Sequence, residues 1–219
     1  MKRLIDLSHA VHDGLITYPG LPAPRIGEHL TRAASRGRYA PGTEFSIGKI
    51  ELLANTGTYL DAPFHRYAEG KDLAGLELET LADLEGVVVR APAGVRALGA
   101  ELFTGRELAA RAVLVETGWS RHFGTPHYGS GHPFLTRAAA EHLAERGAVL
   151  VGIDSLNIDD TSTGERPVHS LLLERDVRIV EHLTGLDQLP DGPFRFFAVP
   201  VKVRGMGSFP VRAFAIVEE

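Results

Sequence analysis

The sequence predicts an α/β fold with a mixed central β-sheet or barrel-like core and a few flanking helices. Three observations support this prediction. Short apolar runs rich in β-branched or aromatic residues recur along the chain, helical patterns occur only in its middle, and 24 Gly and 13 Pro separate the runs without forming a linker. The helices are too few for a doubly wound sheet. Because no shift in composition and no repeat marks a boundary, we expect one domain over residues 1–219.

The expected strands follow from the apolar runs. Residues 4–7 indicate a first strand near the N-terminus. Between Phe45 and Leu52 the alternation of apolar residues changes parity near Gly48, which predicts one long, bent strand whose bulge keeps both halves facing the core. Five further strands are predicted at residues 87–89, 113–115, 149–151, 194–199 and 211–217.

Two helices are predicted in the middle of the chain. Thr104 and Glu107 form a capping-box pattern, in which each side chain caps a free backbone N–H group, ahead of a helix that continues to residue 112. The Ala-rich segment 136–146 is typical of a second helix, and Gly147 is placed to end it.

Composition and charge exclude several classes of protein. With 23 Lys and Arg against 28 Asp and Glu, the formal net charge is −5, which does not favour a nucleic-acid partner. The absence of Cys excludes disulfides, thiolate zinc sites and iron–sulfur clusters, so any metal must be held by His or oxygen ligands. No apolar stretch is long enough for a membrane helix, and Asp6 and His9 interrupt the N-terminus before a signal peptide could develop. We therefore expect a cytoplasmic protein that acts on a small molecule, with no nucleic-acid or membrane partner.

Segment 55–65 carries the strongest functional signal. Asn55, Tyr59, Asp61 and His65 are spaced unevenly through Gly and Pro, and such a turn can aim several polar side chains at one point. The alternative is a structural loop in which Asp61 caps backbone N–H groups and His65 only packs, and the residues alone leave both open. Other His residues lie in polar or helical contexts and are expected at the surface, namely His29, His122, His127, His142 and His182.

This segment resembles the signature His-x-Gly-Thr-His-x-Asp-x-Pro-x-His of the cyclase family of metal-dependent hydrolases, which includes bacterial kynurenine formamidases and isatin hydrolases. The matching residues are Gly57, Thr58, Asp61, Pro63 and His65. The similarity continues at residues 6–9, 117–119, 132–133, 151–154, 169–172, 179–183 and 207–212. The resemblance implies a swivelling β/β/α fold, arylformamidase activity in tryptophan catabolism, and a homodimer or homotetramer with its pockets near the subunit contacts.

The resemblance also implies a set of metal ligands, from which this sequence departs. It makes Asp61 a ligand and His65 the catalytic side chain, and it places His169 and Glu181 as the later ligand pair. Asn55 and Tyr59, however, stand where the family has its two signature His residues. An Asn amide is a weak ligand and a Tyr phenol binds metal well only after losing its proton, so a two-metal site is not expected. One Zn²⁺ or Mn²⁺ on Asp61, His169 and Glu181 is the remaining arrangement, and the alternative is a metal-free pocket in which these side chains hydrogen-bond.

Three functions follow from these arrangements. With a metal to acidify water, the protein would be a hydrolase of a small amide, lactam or ester, in which His65 transfers protons and Tyr59 donates to the oxyanion. Without a metal, Tyr59, His65 and the carboxylates could support lyase or cyclase chemistry. The third function is a catalytically silent binder of a small ligand. The candidate substrate-binding residues are aromatic or polar side chains, namely Tyr18, Asn55, Phe64, Arg66 and Trp119; an Arg suits a substrate carboxylate and aromatic rings suit a flat substrate.

Overall fold

The computed structural model describes residues 1–218. Its strands are β1 (Lys2–Asp6), β2 (Arg25–Leu30), β3 (Ile47–Glu51), β4 (Tyr59–Asp61), β5 (Leu84–Arg90), β6 (Ala97–Leu98), β7 (Arg111–Glu116), β8 (Phe134–Leu135), β9 (Leu150–Ile153), β10 (Arg178–Glu181), β11 (Phe194–Phe197), β12 (Ser208–Pro210) and β13 (Phe214–Glu218). The α-helices are α1 (Arg32–Ser35), α2 (Arg137–Glu145) and α3 (Pro167–Glu174). Short 3-10 turns lie between them, including one at Pro63–His65. Among these residues no helix combines the length and apolarity that a membrane crossing requires.

Nine strands form one mixed sheet, which confirms the predicted fold class. Their order is β1-β13-β11-β5-β7-β9-β10-β4-β12. The four central strands, β5, β7, β9 and β10, pair in parallel, whereas the strands on both flanks pair antiparallel. Parallel neighbours need a crossover connection, and α2 and α3 provide the two crossovers from β7 to β9 and from β9 to β10.

The sheet curls, and each of its faces has a hydrophobic core. One core joins Ile5 on β1 to Leu60 on β4, which lie near opposite edges of the sheet, and a bridge between Ser8 and Leu183 links the same ends. The other core lies between the parallel strands and the helices, where Leu143 of α2 and Leu172 of α3 pack with strand residues. This second face, covered by α3, carries the candidate site.

Most of the predicted strands are present. Those expected at residues 87–89, 113–115, 149–151 and 194–199 correspond to β5, β7, β9 and β11, while the strand expected at 211–217 is confined to β13. The predicted first strand is shifted toward the N-terminus, as β1. Six strands were not predicted, namely β2, β4, β6, β8, β10 and β12. Five of them have only two to four residues, which show too little alternation to be recognised, and β2 is exposed along most of its length.

The long, bent strand predicted over residues 45–52 is wrong. β3 covers only part of it and pairs with β2 in a separate two-stranded sheet, where Ile47 and Ile50 are 45% and 52% exposed. The irregular register falls on the partner strand, between Glu28 and Leu30. Alternation reports that a strand has an apolar face, but it does not report whether the core of the same chain covers that face.

One predicted helix is wrong and the other is confirmed. No helix begins at Thr104, because Gly105 and Ala110 both adopt left-handed backbone conformations, with φ of 76° and 58°, before β7 starts. Thr136 does cap α2, since its side chain accepts a hydrogen bond from the Ala139 N–H at 3.3 Å. The helix ends before residue 147, as predicted, and α1 and α3 are additional helices that were not predicted.

Candidate active site

Three adjacent strands place four polar side chains on one face of the sheet. In the register of β4, β10 and β12, Tyr59 lies opposite Glu181, and Asp61 lies opposite Ser208. Because alternate strand residues share a face, Tyr59 and Asp61 project to the same side while Leu60 enters the core on the other. All four polar residues are buried.

Helix α3 covers this face and contributes His169. The carboxylate of Asp159 accepts hydrogen bonds from the backbone N–H groups of Val168 at 2.7 Å and His169 at 3.0 Å, which caps the start of the helix. Its Oδ2 also lies 2.7 Å from Nδ1 of His169. That contact turns Nε2 toward Asp61 Oδ2 and Glu181 Oε1, each 3.6 Å away. A carboxylate behind an imidazole is the usual arrangement for orienting a metal-binding His.

His65 stands at the edge of the same cluster. It ends the 3-10 turn after β4, and its side chain is 36% exposed. The hydroxyl of Ser208 hydrogen-bonds Asp61 and lies 2.8 Å from Nδ1 of His65, so it joins the two side chains. Gly207 packs directly against the His65 backbone, where an added Cβ would overlap it. The glycine therefore allows β12 to approach closely enough for Ser208 to make both contacts.

Hydrogen bonds occupy both carboxylate oxygens of Glu181. Oε1 accepts from the Ile158 N–H at 2.6 Å. Oε2 accepts from the Tyr59 hydroxyl and lies 3.2 Å from the Tyr18 hydroxyl and 3.5 Å from Nδ2 of Asn157. Burial, with added repulsion from Glu181, raises the pKa of both Tyr hydroxyls well above the usual range. Tyr59 is therefore a neutral hydrogen-bond donor here.

The cluster holds three buried carboxyl groups, those of Asp61, Asp159 and Glu181, but only one buried imidazole, that of His169. Burial alone would lower the pKa of His169, but the nearby carboxylates of Glu181, Asp159 and Asp61 raise it to about 10. Burial also raises the pKa of Glu181, and Asp61 adds to that effect. Oδ2 of Asp61 is buried and has no hydrogen-bond partner. A buried, unpartnered carboxylate oxygen is costly, so the site favours a bound cation.

The residues fit a single metal ion. Ligand atoms of Asp61, His65 and His169 lie within 4.8 Å of one another. Oδ1 of Asp61 lies 3.6 Å from Nδ1 of His65, and Oδ2 of Asp61 lies 3.6 Å from Nε2 of His169. Both distances are close to the roughly 3.4 Å that separates two ligands of one tetrahedral Zn²⁺. Two imidazoles and one carboxylate form a donor set that leaves a coordination position open. This group shares Asp61 and His169 with the predicted ligand set but has His65 in place of Glu181.

A cavity of about 780 Å³ opens above the cluster. Seven of the predicted site residues line it, namely Tyr18, Asn55, Tyr59, His65, Arg66, His169 and Glu181. Asp61 does not line the cavity, because it is fully buried. It accepts a hydrogen bond from the Ser208 hydroxyl. Phe64 and Trp119 are not among the lining residues, and Trp119 instead donates to the Tyr128 carbonyl and packs against neighbouring His rings.

Three neighbours of the cluster were not predicted from the sequence, and one His predicted at the surface is buried. Asp159, Ser208 and Asn157 were not predicted. Ser208 and Asn157 lie 143 and 24 residues from their partners His65 and Glu181. Asp159 lies only ten residues before His169, but α3, which it caps, was not predicted. Only Ser208 carried a signal, since it lies in the segment 207–212 that resembles the family. His182 is fully buried, which contradicts its expected surface position, and its Nδ1 lies 2.8 Å from the Tyr128 hydroxyl.

The fold and the site define an α/β protein in which a buried carboxylate–imidazole cluster opens into a cavity sized for a small molecule. The family model Cyclase, with the description "Putative cyclase", matches residues 5–160, and the chain therefore belongs to this family.

Three proteins illustrate what the chain is similar to. The kynurenine formamidase of Bacillus cytotoxicus is 27% identical over 95% of both chains. The kynurenine formamidase of Bordetella petrii is 29% identical over 97% of both. The solved structure of isatin hydrolase A from Ralstonia solanacearum has a TM-score of 0.83 and 25% identity, and the match covers 99% of this chain and 92% of that one.

Proposed function

We propose that this protein is a hydrolase of a small amide, lactam or ester, of the arylformamidase type. The relatives named kynurenine formamidase and isatin hydrolase support this proposal. The observation that carries it is the convergence of Asp61, His65 and His169 beside the cavity, with a buried Asp61 oxygen that lacks a hydrogen-bond partner. Such a group suits the binding of a cation beside a reacting carbonyl.

We assign a single divalent metal, Zn²⁺ or Mn²⁺, to this cluster. Asp61 and His169 would hold it, with the third ligand from Glu181, as the family resemblance implies, or from His65, as the atomic spacing suggests. When bound, the ion would polarise the scissile carbonyl and acidify the attacking water. Asn55 and Tyr59 replace the imidazoles that a second ion would need, so we propose no two-metal site.

His65 and Tyr59 would transfer the proton and stabilise the negative charge that develops on the carbonyl oxygen. In our proposal His65 takes a proton from water and returns it to the leaving amine or alkoxide. The Ser208 contact at Nδ1 holds the ring so that Nε2 is free for this transfer. Tyr59 stays protonated and lines the cavity, so its hydroxyl can donate to the oxyanion when it turns from Glu181.

The first test is metal content and turnover. Protein purified without chelator, offered Zn²⁺ and Mn²⁺, and measured by inductively coupled plasma mass spectrometry should hold close to one ion per chain. Aryl formamides, lactams and esters should then be hydrolysed. Loss of the ion in Asp61→Ala and in His169→Ala would support the assignment, whereas a parent protein without a stoichiometric ion would contradict it.

His65→Ala separates the two roles of this side chain. As the proton carrier, His65 should be essential for turnover, with a loss of about 10²- to 10⁴-fold, while metal content stays unchanged. If His65 is a metal ligand, its removal should abolish both turnover and metal binding. Turnover equal to that of the parent would exclude either role, and circular dichroism controls for the fold.

A metal-independent lyase or cyclase is the second candidate function. The bond between Tyr59 and Glu181 favours it, because the phenol already satisfies a carboxylate that a cation would otherwise neutralise. Elimination or ring closure by a protein free of metal after chelator treatment would support this function over the hydrolase. A cytoplasmic setting, a place in tryptophan catabolism, and association with further copies of the chain stay predictions from the sequence.

A further inference from the structure

The exposed rim of the cavity is basic, although its floor is acidic. Arg66, Arg137 and Arg166 all line the cavity, and they come from three separate elements. Arg66 follows His65, Arg137 is the first residue of α2, and Arg166 immediately precedes α3. The tertiary fold therefore gathers three guanidinium groups around one opening in a protein of net charge −5.

These three side chains have no acidic partner within residues 1–218. None of them forms an ion pair with a carboxylate among those residues. The one other charged side chain on the rim is the exposed Glu165. Three positive charges against one negative charge leave the rim with an excess of positive charge.

Neutral contacts hold two of the guanidinium groups in place. Nε of Arg66 donates to the Ser170 hydroxyl at 3.2 Å. Nη1 of Arg166 donates to the carbonyl oxygens of Asp160 at 3.2 Å and Thr163 at 2.8 Å. Because these contacts neutralise no charge, the groups are positioned in advance and keep N–H donors for a ligand.

We infer that the rim binds an anionic group of the substrate, and that the substrate is an acyl compound bearing a carboxylate. Guanidinium groups bind carboxylates through paired N–H donors, which also orient the ligand. With its carboxylate on the rim, the substrate would direct its carbonyl toward His65 and His169 at the floor. This inference rests on the proposed function, which places the reacting carbonyl there.

Binding of two small probes tests the inference without requiring turnover. 2-Aminobenzoate carries a ring and a carboxylate, and aniline carries the ring alone. In calorimetric titrations the parent protein should bind 2-aminobenzoate more tightly, and Arg137→Gln should weaken that affinity by about fivefold or more, with aniline unaffected. Added salt should lower the affinity of the parent protein for 2-aminobenzoate, because it screens the attraction between the guanidinium groups and the carboxylate.

The matched control is Arg146→Gln. Arg146 is exposed at the other end of α2, about 13 Å from Arg137 along the helix axis. Its substitution removes the same charge at a position outside the cavity. It should leave the affinity for 2-aminobenzoate unchanged. Equal affinity in Arg137→Gln and the parent, equal binding of both probes, or equal losses in the two Arg variants would each overturn the inference.

The same set of variants distinguishes this inference from the proposed function. A protein that binds 2-aminobenzoate through Arg137 but hydrolyses no amide, lactam or ester would contradict the hydrolase and keep the anion site. A protein that hydrolyses neutral and carboxylate-bearing aryl formamides equally well, with or without Arg137, would keep the hydrolase and contradict the anion site.

Discussion

Tyr59 shows how one side chain changes the chemistry of a loop that otherwise follows the family signature. It stands where the family signature has a His, and its buried hydroxyl donates to Glu181. Burial raises the pKa of this hydroxyl, so the phenol does not become an anionic ligand at neutral pH. Glu181 is thereby held by protein donors, so Oδ2 of Asp61 is the carboxylate oxygen of this pair that has no hydrogen bond and is open to the proposed cation.

We predict that restoring imidazoles at both substituted positions increases metal uptake. The double variant Asn55→His, Tyr59→His would supply two neutral nitrogen ligands at the cavity floor, where both residues already lie. Zn²⁺ or Mn²⁺ per chain should exceed the value of the parent in plasma mass spectrometry. Asn55→Gln, Tyr59→Phe is the matched control, and uptake equal to the parent in the His variant would mean that these positions do not face a metal.

His182 predicts part of the acid sensitivity of the protein. Burial lowers its pKa to about 3, whereas an unfolded chain titrates near 6.5. Between these pH values the unfolded state binds more protons, so the free energy of unfolding falls as the pH falls. In urea titrations at pH 7 and pH 4, His182→Asn should lose less stability than the parent, because Asn tolerates the φ of 56° and does not titrate. His29→Asn, on the exposed strand β2, should lose as much as the parent.

Helix α3 connects stability to the site through Asp159. Its first N–H groups would be unsatisfied without this carboxylate, and the same carboxylate orients His169. Pro167 at the first turn supports the start of the helix, since its fixed φ is already helical. The cap that begins the helix and the contact that aims its functional side chain are therefore one group.

Two Thr residues with similar sequence signals should differ in their contribution to stability. Thr136→Ala removes the cap of α2 and should lower the free energy of unfolding by about 1 kcal/mol. Thr104→Ala should change it by less than about 0.5 kcal/mol, because no helix starts there and its hydroxyl makes only a long contact of 3.5 Å to Ala100. Urea denaturation measures both, and equal losses would contradict the assignment of the cap.

The two-stranded sheet of β2 and β3 carries apolar side chains that the hydrophobic cores of the chain do not cover. Ile26 lies directly across from Ile50, and the two are 45% and 52% exposed. A pair of strands with an uncovered apolar face gains little stability by itself in water. A second copy of the chain would cover this face, in line with the homodimer or homotetramer that the family resemblance implies.

We predict that this face mediates self-association. Ile26→Glu with Ile50→Glu should reduce the mass of the parent oligomer in light scattering after size-exclusion chromatography, because two charges would be buried in the contact. Leu78→Glu is the control, since Leu78 is 63% exposed on a different part of the surface. A parent protein that already elutes as a monomer at micromolar concentration would contradict the prediction.

Local patterns were enough to predict β5, β7, β9 and α2, and they indicated segment 55–65 as a candidate site. Runs such as residues 113–115 are buried on both faces, and a run of that kind has few other structures open to it. Asp61 and His65 could be proposed from the signature, and His169 and Glu181 from the later segments that resemble the family.

The tertiary structure decided which of these groups meet and what holds them. Ser208 reaches His65 only because β12 pairs with β4 at the edge of the sheet, and His169 reaches Asp61 only because α3 packs over these strands. No spacing in the sequence reports either contact. The burial of His182, the exposure of β3 and the basic rim have the same origin. Each of these features depends on which elements pack against each other, and elements that pack together are often distant in sequence. A sequence pattern describes only neighbours along the chain.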